Sequence, residues 1–135
     1  MTPPAQYDVI VVDDEPSVTE IFQQYVAWKY KDWRFLAFNN AKSLYDAIMG
    51  GEVAAKVWVV DIMMPAKNGT EIAEAVRQKQ GERPVVLAYT ALDRRVLETD
   101  ENYKPRIHHF NRFINKREDF SSILSLVDVW VSSAG

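Results

Sequence analysis

Apolar positions along this chain fall into short runs separated by stretches with helical spacing. Val9, Ile10, Val11 and Val12 form the first run and predict a strand over residues 8–12. Pro16 suits the first turn of a helix, and Val18, Ile21, Phe22, Tyr25 and Val26 then recur at helical intervals. A second strand is predicted at about 34–38, and a second helix at about 41–49, stopped by Gly50-Gly51. Residues 56–62 are almost continuously apolar, as a strand covered on both faces should be. A third helix starts near Gly69, turns Ile72, Ala73 and Val76 inward, and ends before Gly81. The fourth strand is 84–89, and residues 92–104 carry a weaker helical pattern. The fifth strand is about 112–115. The fifth helix is about 119–131, with Phe120, Ile123, Leu124, Val127 and Val131 inward. Residues 1–6 read as a loose tail and 132–135 as a frayed end.

Five strands in strict alternation with five helices predict a parallel sheet with helices on both faces. The expected architecture is an α/β, flavodoxin-like (βα)5 three-layer sandwich over residues 7–131, with strand order 2-1-3-4-5.

Composition narrows the function. The chain has 135 residues, a single-domain length, and no apolar run near the roughly 20 residues a bilayer span needs. The opening MTPPAQYD lacks the basic and apolar parts of a signal peptide, so a cytoplasmic protein is expected. With no cysteine, disulfides, thiolate zinc sites and cysteine nucleophiles are excluded. A net charge of −3 does not point to nucleic acid as the main partner.

In such sheets ligands bind beyond the carboxyl ends of the strands. Strand one ends in Asp13-Asp14, strand three in Asp61, strand four in Thr90 and strand five in Lys116. Strand two, at the edge, is read as standing outside this set. Three close carboxylates repel by a few kcal/mol per pair, on the order expected at protein-surface dielectric. A divalent cation removes that repulsion, and oxygen ligands without His or Cys favour Mg2+. Together with the Lys116 amine and the Thr90 hydroxyl, the set describes a site for a phosphoryl group. Asp61, alone on the central strand, is the best nucleophile candidate. Any one of these acids alone would read as a turn former or helix cap; the joint pattern is what argues for chemistry. Glu15 is read as a first-turn acid that favours the helix dipole.

These residues resemble the receiver domain of response regulators. The likeness covers about residues 7–131 and rests on VVDDEP at 11–16, DIMMPAKNG at 61–69, YTA at 89–91 and FINK at 113–116. The resemblance implies that Asp61 takes a phosphoryl group from a phosphohistidine on a histidine kinase or phosphotransfer protein. It implies Mg2+ held by Asp14 directly, by Asp13 partly through water, by Asp61, and by the Met63 backbone carbonyl. Lys116 would pair with the phosphoryl oxygens. Thr90 would move toward them on activation, and Phe113 would rotate inward with it. Pro65 and Gly69 would shape the loop after strand three. The face formed by residues 92–131 would meet a target protein, with a homodimer as one form of that contact. The expected protein is a stand-alone receiver that catalyses only its own phosphorylation and dephosphorylation.

The sequence departs from that family in three places. Lys116 is followed by Arg117 where the family usually has proline, which is often cis; a trans bond and a shifted loop are therefore expected. The stretch from Thr90 to Lys116 is longer than usual and broken by Pro105, so helix four should be short, displaced or mobile. Met63 and Leu92 are apolar where the family often has polar residues, and their exclusion of water predicts a long-lived phosphoryl-aspartate. Two alternatives stand beside this reading. One is a pseudo-receiver that binds partners without being phosphorylated. The other is a Mg2+-dependent aspartyl-phosphate phosphatase, disfavoured because Met63 occupies the position of its second acid. His108 and His109 follow no strand at the carboxyl rim and are read as polar loop residues.

Overall fold

The computed structural model describes residues 2–133. Five strands form one sheet: β1 Ala5–Val12, β2 Phe35–Phe38, β3 Val53–Asp61, β4 Val85–Thr90 and β5 Arg112–Asn115. Their order is β2-β1-β3-β4-β5 and every ladder is parallel. The helices are α1 Pro16–Lys29, α2 Ala41–Met49, α3 Gly69–Gln80, α4 Arg94–Thr99 and α5 Phe120–Ser133. This is the predicted topology, with one added element: a 3-10 helix at Lys104–His109 between α4 and β5.

Side chains alternate across the pleated sheet and divide the interior into two layers. Ile10, Val12, Trp58 and Val60 face Leu44, Ile48, Ile72 and Val76 of α2 and α3. Val9, Val11, Val57, Val59 and Leu87 face Phe22 of α1 and Ile123, Leu124 and Val127 of α5. Local signals set the helix ends. Asn40 caps α2 by accepting the Ser43 N–H. Asn68 and Glu71 form a capping box at α3, which Gly81 ends with a φ of 74°.

Two boundaries differ from the apolar pattern. The Ala5 N–H donates to the Glu52 carbonyl, and Ala5 and Gln6 pair with Val53 and Ala54. The predicted tail over 1–6 is therefore shorter, because backbone pairing runs past the last apolar side chain. Ser132 and Ser133 belong to α5; positions 134–135 and Met1 lie outside the described residues. Of the tryptophans, Trp58 is fully buried and Trp28 is 70% exposed.

The segment after β4 explains its weak helical signal. α4 has six residues, and only Leu97 is buried. Asp93 caps it through the Arg95 N–H. The 3-10 helix begins with Pro105 in its first turn and packs on α3. Its anchor is Arg77, whose guanidinium donates to the carbonyls of His109, Gly81 and Pro84 and to Asn111 Oδ1. Asn111 Oδ1 also accepts the Val86 N–H, so the staple reaches β4. Nearer the carboxyl rim, Arg106 donates to Thr70 Oγ1, and Asn68 donates to the Asn102 carbonyl. Helix four is thus short, as expected, and the extra residues are bound to α3. His108 and His109 lie in the 3-10 helix, with His109 Nε2 3.9 Å from Glu74. Burial, with His108 beside it, pushes the His109 pKa down.

Candidate functional site

Parallel strands bring their carboxyl ends to one edge, and the predicted residues meet there. Asp61 is the last residue of β3, Thr90 the last of β4, and Asp13 and Lys116 directly follow β1 and β5. One carboxylate oxygen from each of Asp13, Asp14 and Asp61 lies within 4.8 Å of the others. Asp13 and Asp61 are buried, and Asp14 is exposed. The Lys116 ammonium reaches across β4 to lie 3.0 Å from Asp13 Oδ2 and 3.3 Å from Asp61 Oδ1.

The electrostatics follow from this crowding. Burial first, and then the Asp13 charge, push the Asp61 carboxyl up to about 7, against the pull of Lys116. Burial also works against the Lys116 ammonium, but the close contact with Asp13 and the charge of Asp61 outweigh it and hold its pKa above the usual lysine value. One cation therefore serves the two buried carboxylates, with the third, Asp14, close to both. Asp13 Oδ1 accepts the Glu15 N–H at 2.9 Å, while the buried Oδ2 has an ion contact but no well-formed hydrogen bond. An under-satisfied buried carboxylate oxygen beside two more carboxylates is a donor set that fits a hard divalent cation.

The remaining predicted residues frame this centre. Thr90 is buried, its hydroxyl accepts the Leu92 N–H at 3.0 Å, and its carbonyl accepts the Lys116 N–H. Phe113 is half-buried beside Phe110, with the Arg94 guanidinium 4.9 Å from its ring centre. Phe113, Thr90, Leu92 and Leu97 border a cleft of about 350 Å³ beneath α4. Met63 is 56% exposed in the loop after β3 and borders a shallow surface with Met64, Pro65, Asn68 and Tyr103. In that loop Ala66 takes a φ of 69°, a left-handed value uncommon for a residue with a Cβ. Gly69 is required for a different reason: its N–H bonds the Ile62 carbonyl, and a Cβ there would strike the Asp61 carbonyl.

Some contributors were missed from sequence. Strand two does supply the site: Asn39, just after β2, donates to the Asp13 carbonyl at 3.0 Å and to Thr19 Oγ1 at 2.7 Å. It corrects the reading of β2 as outside the set, and the signal was the polar pair Asn39-Asn40 directly after an apolar strand. Tyr89 lies 5.5 Å beneath the Lys116 ammonium and makes edge contact with Phe22. The YTA motif includes it, but as a residue inside a core strand it was given no role of its own. The Lys116–Arg117 bond is trans, since the described residues contain no cis peptide. Lys116 nonetheless reaches both buried acids, so the expected loop shift has not displaced it.

The chain belongs to the response regulator receiver domain family, whose model matches residues 9–128. Receiver domains are modules of two-component signalling and work with histidine kinases and phosphotransfer proteins. No curated protein matches the sequence. Among solved structures, a CheY-like receiver domain protein from Methanospirillum hungatei is 15% identical, with a TM-score of 0.74 over 96% of this chain and 97% of that one. The response regulator TrrA from Thermotoga maritima, in complex with Mg2+ and beryllofluoride, is 20% identical, with a TM-score of 0.70 over 91% and 97%. The receiver domain of a Pseudomonas aeruginosa sensor histidine kinase, with a magnesium ion in its active-site cleft, is 15% identical, with a TM-score of 0.71 over 95% and 99%. These likenesses carry the fold. Among the described residues no helix is long and apolar enough to cross a membrane.

Proposed function

We propose that this chain is a phosphorylation switch in which Asp61 is the acceptor. The observation that carries the reading is the approach of Lys116 to both Asp13 and Asp61 beside the clustered carboxylates. An oxygen of the ionised Asp61 forms the new bond to phosphorus as the phosphorus–nitrogen bond of a phosphohistidine breaks. The departing imidazole keeps the electron pair. Asp14, exposed at the rim, would hold Mg2+ directly. Asp61 and the Met63 carbonyl would complete the protein's share, and Asp13 would assist through water. Bound there, Mg2+ supplies positive charge to the phosphoryl oxygens. Lys116 gives those oxygens a second cation, and Asn39 fixes the Asp13 backbone.

Thr90 and Phe113 then link the site to its surroundings. Turning the Thr90 hydroxyl toward the phosphoryl group would break its bond from the Leu92 N–H and release the turn into α4. Phe113 can enter the cleft beneath α4, giving two packed arrangements biased by one phosphate. The readout is a protein partner, or a second copy, on the face formed by residues 92–131. The protein acts on itself rather than turning over a substrate, and a cytoplasmic location goes with this reading.

Intact mass after incubation with Mg2+ and phosphoramidate tests it. The parent should gain one phosphoryl group and Asp61→Asn none. The gain should persist for minutes or longer, given Met63 and Leu92; decay within seconds would remove their proposed exclusion of water. No mass gain together with failure to bind beryllofluoride would instead favour the pseudo-receiver, whereas beryllofluoride binding without a gain would point to strict dependence on a cognate kinase.

A further inference from the structure

Lys116 must hold its ammonium between two buried acids, yet it leaves the sheet at the last rung of β5. A lysine side chain carries roughly 2 kcal/mol of rotamer entropy, so its aim depends on a fixed backbone. On one side the Lys116 N–H donates to the Thr90 carbonyl at 3.0 Å. On the other side the chain is held by Asn115. Its carboxamide oxygen accepts the Arg117 N–H at 2.8 Å, and its backbone carbonyl accepts the Glu118 N–H at 3.0 Å. A single residue thus closes two turns around Lys116. The side-chain bond to the residue two positions ahead is an Asx turn, which needs a free N–H at Arg117 and so suits a chain with no proline there.

We propose that Asn115 is the positioning residue for Lys116: by capturing the Arg117 amide, it aims the ammonium at Asp13 and Asp61. Asn115 does not touch the reacting atoms and acts only through Lys116. Its effect on phosphorylation rests on the function proposed above, but its effect on the charge of the carboxylate cluster does not.

This gives a signature that a general loss of structure would not produce. When the ammonium swings away, the carboxylates lose a competing cation, so Mg2+ should bind more tightly while phosphoryl uptake slows. Mg2+ affinity is measured by calorimetry on the full chain, and uptake by intact mass with phosphoramidate. Asn115→Ala should tighten Mg2+ by roughly threefold and slow uptake by about fivefold, the scale of one lost hydrogen bond. Asn115→Ser, which keeps an oxygen acceptor without adding charge, should restore most of both. In a Lys116→Met background, Asn115→Ala should leave Mg2+ affinity unchanged, because there is no ammonium left to aim. Weaker Mg2+ binding in Asn115→Ala, no change at all, or an equal change in the Lys116→Met background would overturn the proposal. If the parent takes up no phosphate, the function proposed above fails, and the Mg2+ measurements still decide the role of Asn115.

Discussion

Asp61→Asn should end phosphoryl uptake and yet make the metal-free protein more stable at pH 8. The first effect follows from losing the nucleophilic oxygen. The second follows from the surroundings of that oxygen. Asp61 is 3% exposed, close to Asp13 and Asp14, and shares Lys116 with Asp13. Its carboxyl is raised from 3.8 to about 7 by burial and then by Asp13. An unfolded chain ionises this group near its ordinary value. Between pH 4 and pH 7, the folded protein therefore holds a proton that the unfolded chain has released. Stability falls with pH wherever the folded state binds more protons. The contribution is fully present below about pH 4 and is lost as pH rises through about 7. The loss is on the order of 2 kcal/mol once water reaching the site is allowed for. Asparagine has no charge to bury, so the slope assigned to Asp61 should vanish in the variant.

Mg2+ should reverse the trend in the parent. A cation at the cluster favours the ionised carboxylates and competes with the proton. The rise in melting temperature on adding Mg2+ should therefore grow from pH 5 to pH 8 in the parent and be much smaller in Asp61→Asn. Thermal melts of both proteins, with Mg2+ and with chelator, measure this. A parent whose metal-free stability rises steadily from pH 5 to pH 8 would show that Asp61 is ionised throughout and that Lys116 alone neutralises the cluster.

Much of this site can be read from sequence because strand ends are one-dimensional features. An apolar run fixes where a parallel strand stops, and the next residue must lie at the common rim. Asp13, Asp14, Asp61, Thr90 and Lys116 were found in that way. Gly69 was legible as a helix start and through the receiver resemblance, while the steric reason for it, a Cβ striking the Asp61 carbonyl, is visible only in the fold. Asn39 was missed because it bonds to a backbone carbonyl, for which an asparagine after a strand is weak evidence. Tyr89 was missed because a tyrosine in a core strand looks the same whether or not a lysine lies over it. The 3-10 helix was missed for a related reason. Its hold on α3 is made by Arg77, 32 residues from His109, and an arginine on an amphipathic helix ordinarily reads as solvated.

That arginine leads to the second large effect: Arg77→Ala should cost about 3 kcal/mol, far more than a surface arginine would. The Arg77 side chain is only 6% exposed. Removing it leaves the carbonyls of His109, Gly81 and Pro84 and the Asn111 carboxamide without that donor. Lysine cannot replace it, because one ammonium cannot address acceptors that a planar fork reaches on two sides. Arg77→Lys should therefore recover less than half of the loss in urea unfolding. The damage should be local in the folded state. Amide exchange should quicken first in residues 104–111, while the rim, which Arg77 does not touch, keeps its Mg2+ affinity. The staple has a consequence for signalling, since it fixes the 3-10 helix to α3 and Asn111 to β4. With that end held, a switch acting through Thr90 would be confined to α4, whose six residues bury only Leu97. Loss of the staple should let the motion spread into the 3-10 helix and blunt any partner's discrimination between the two states. A loss below about 1 kcal/mol in Arg77→Ala, with unchanged exchange in residues 104–111, would mean that the segment is held by its apolar contacts alone.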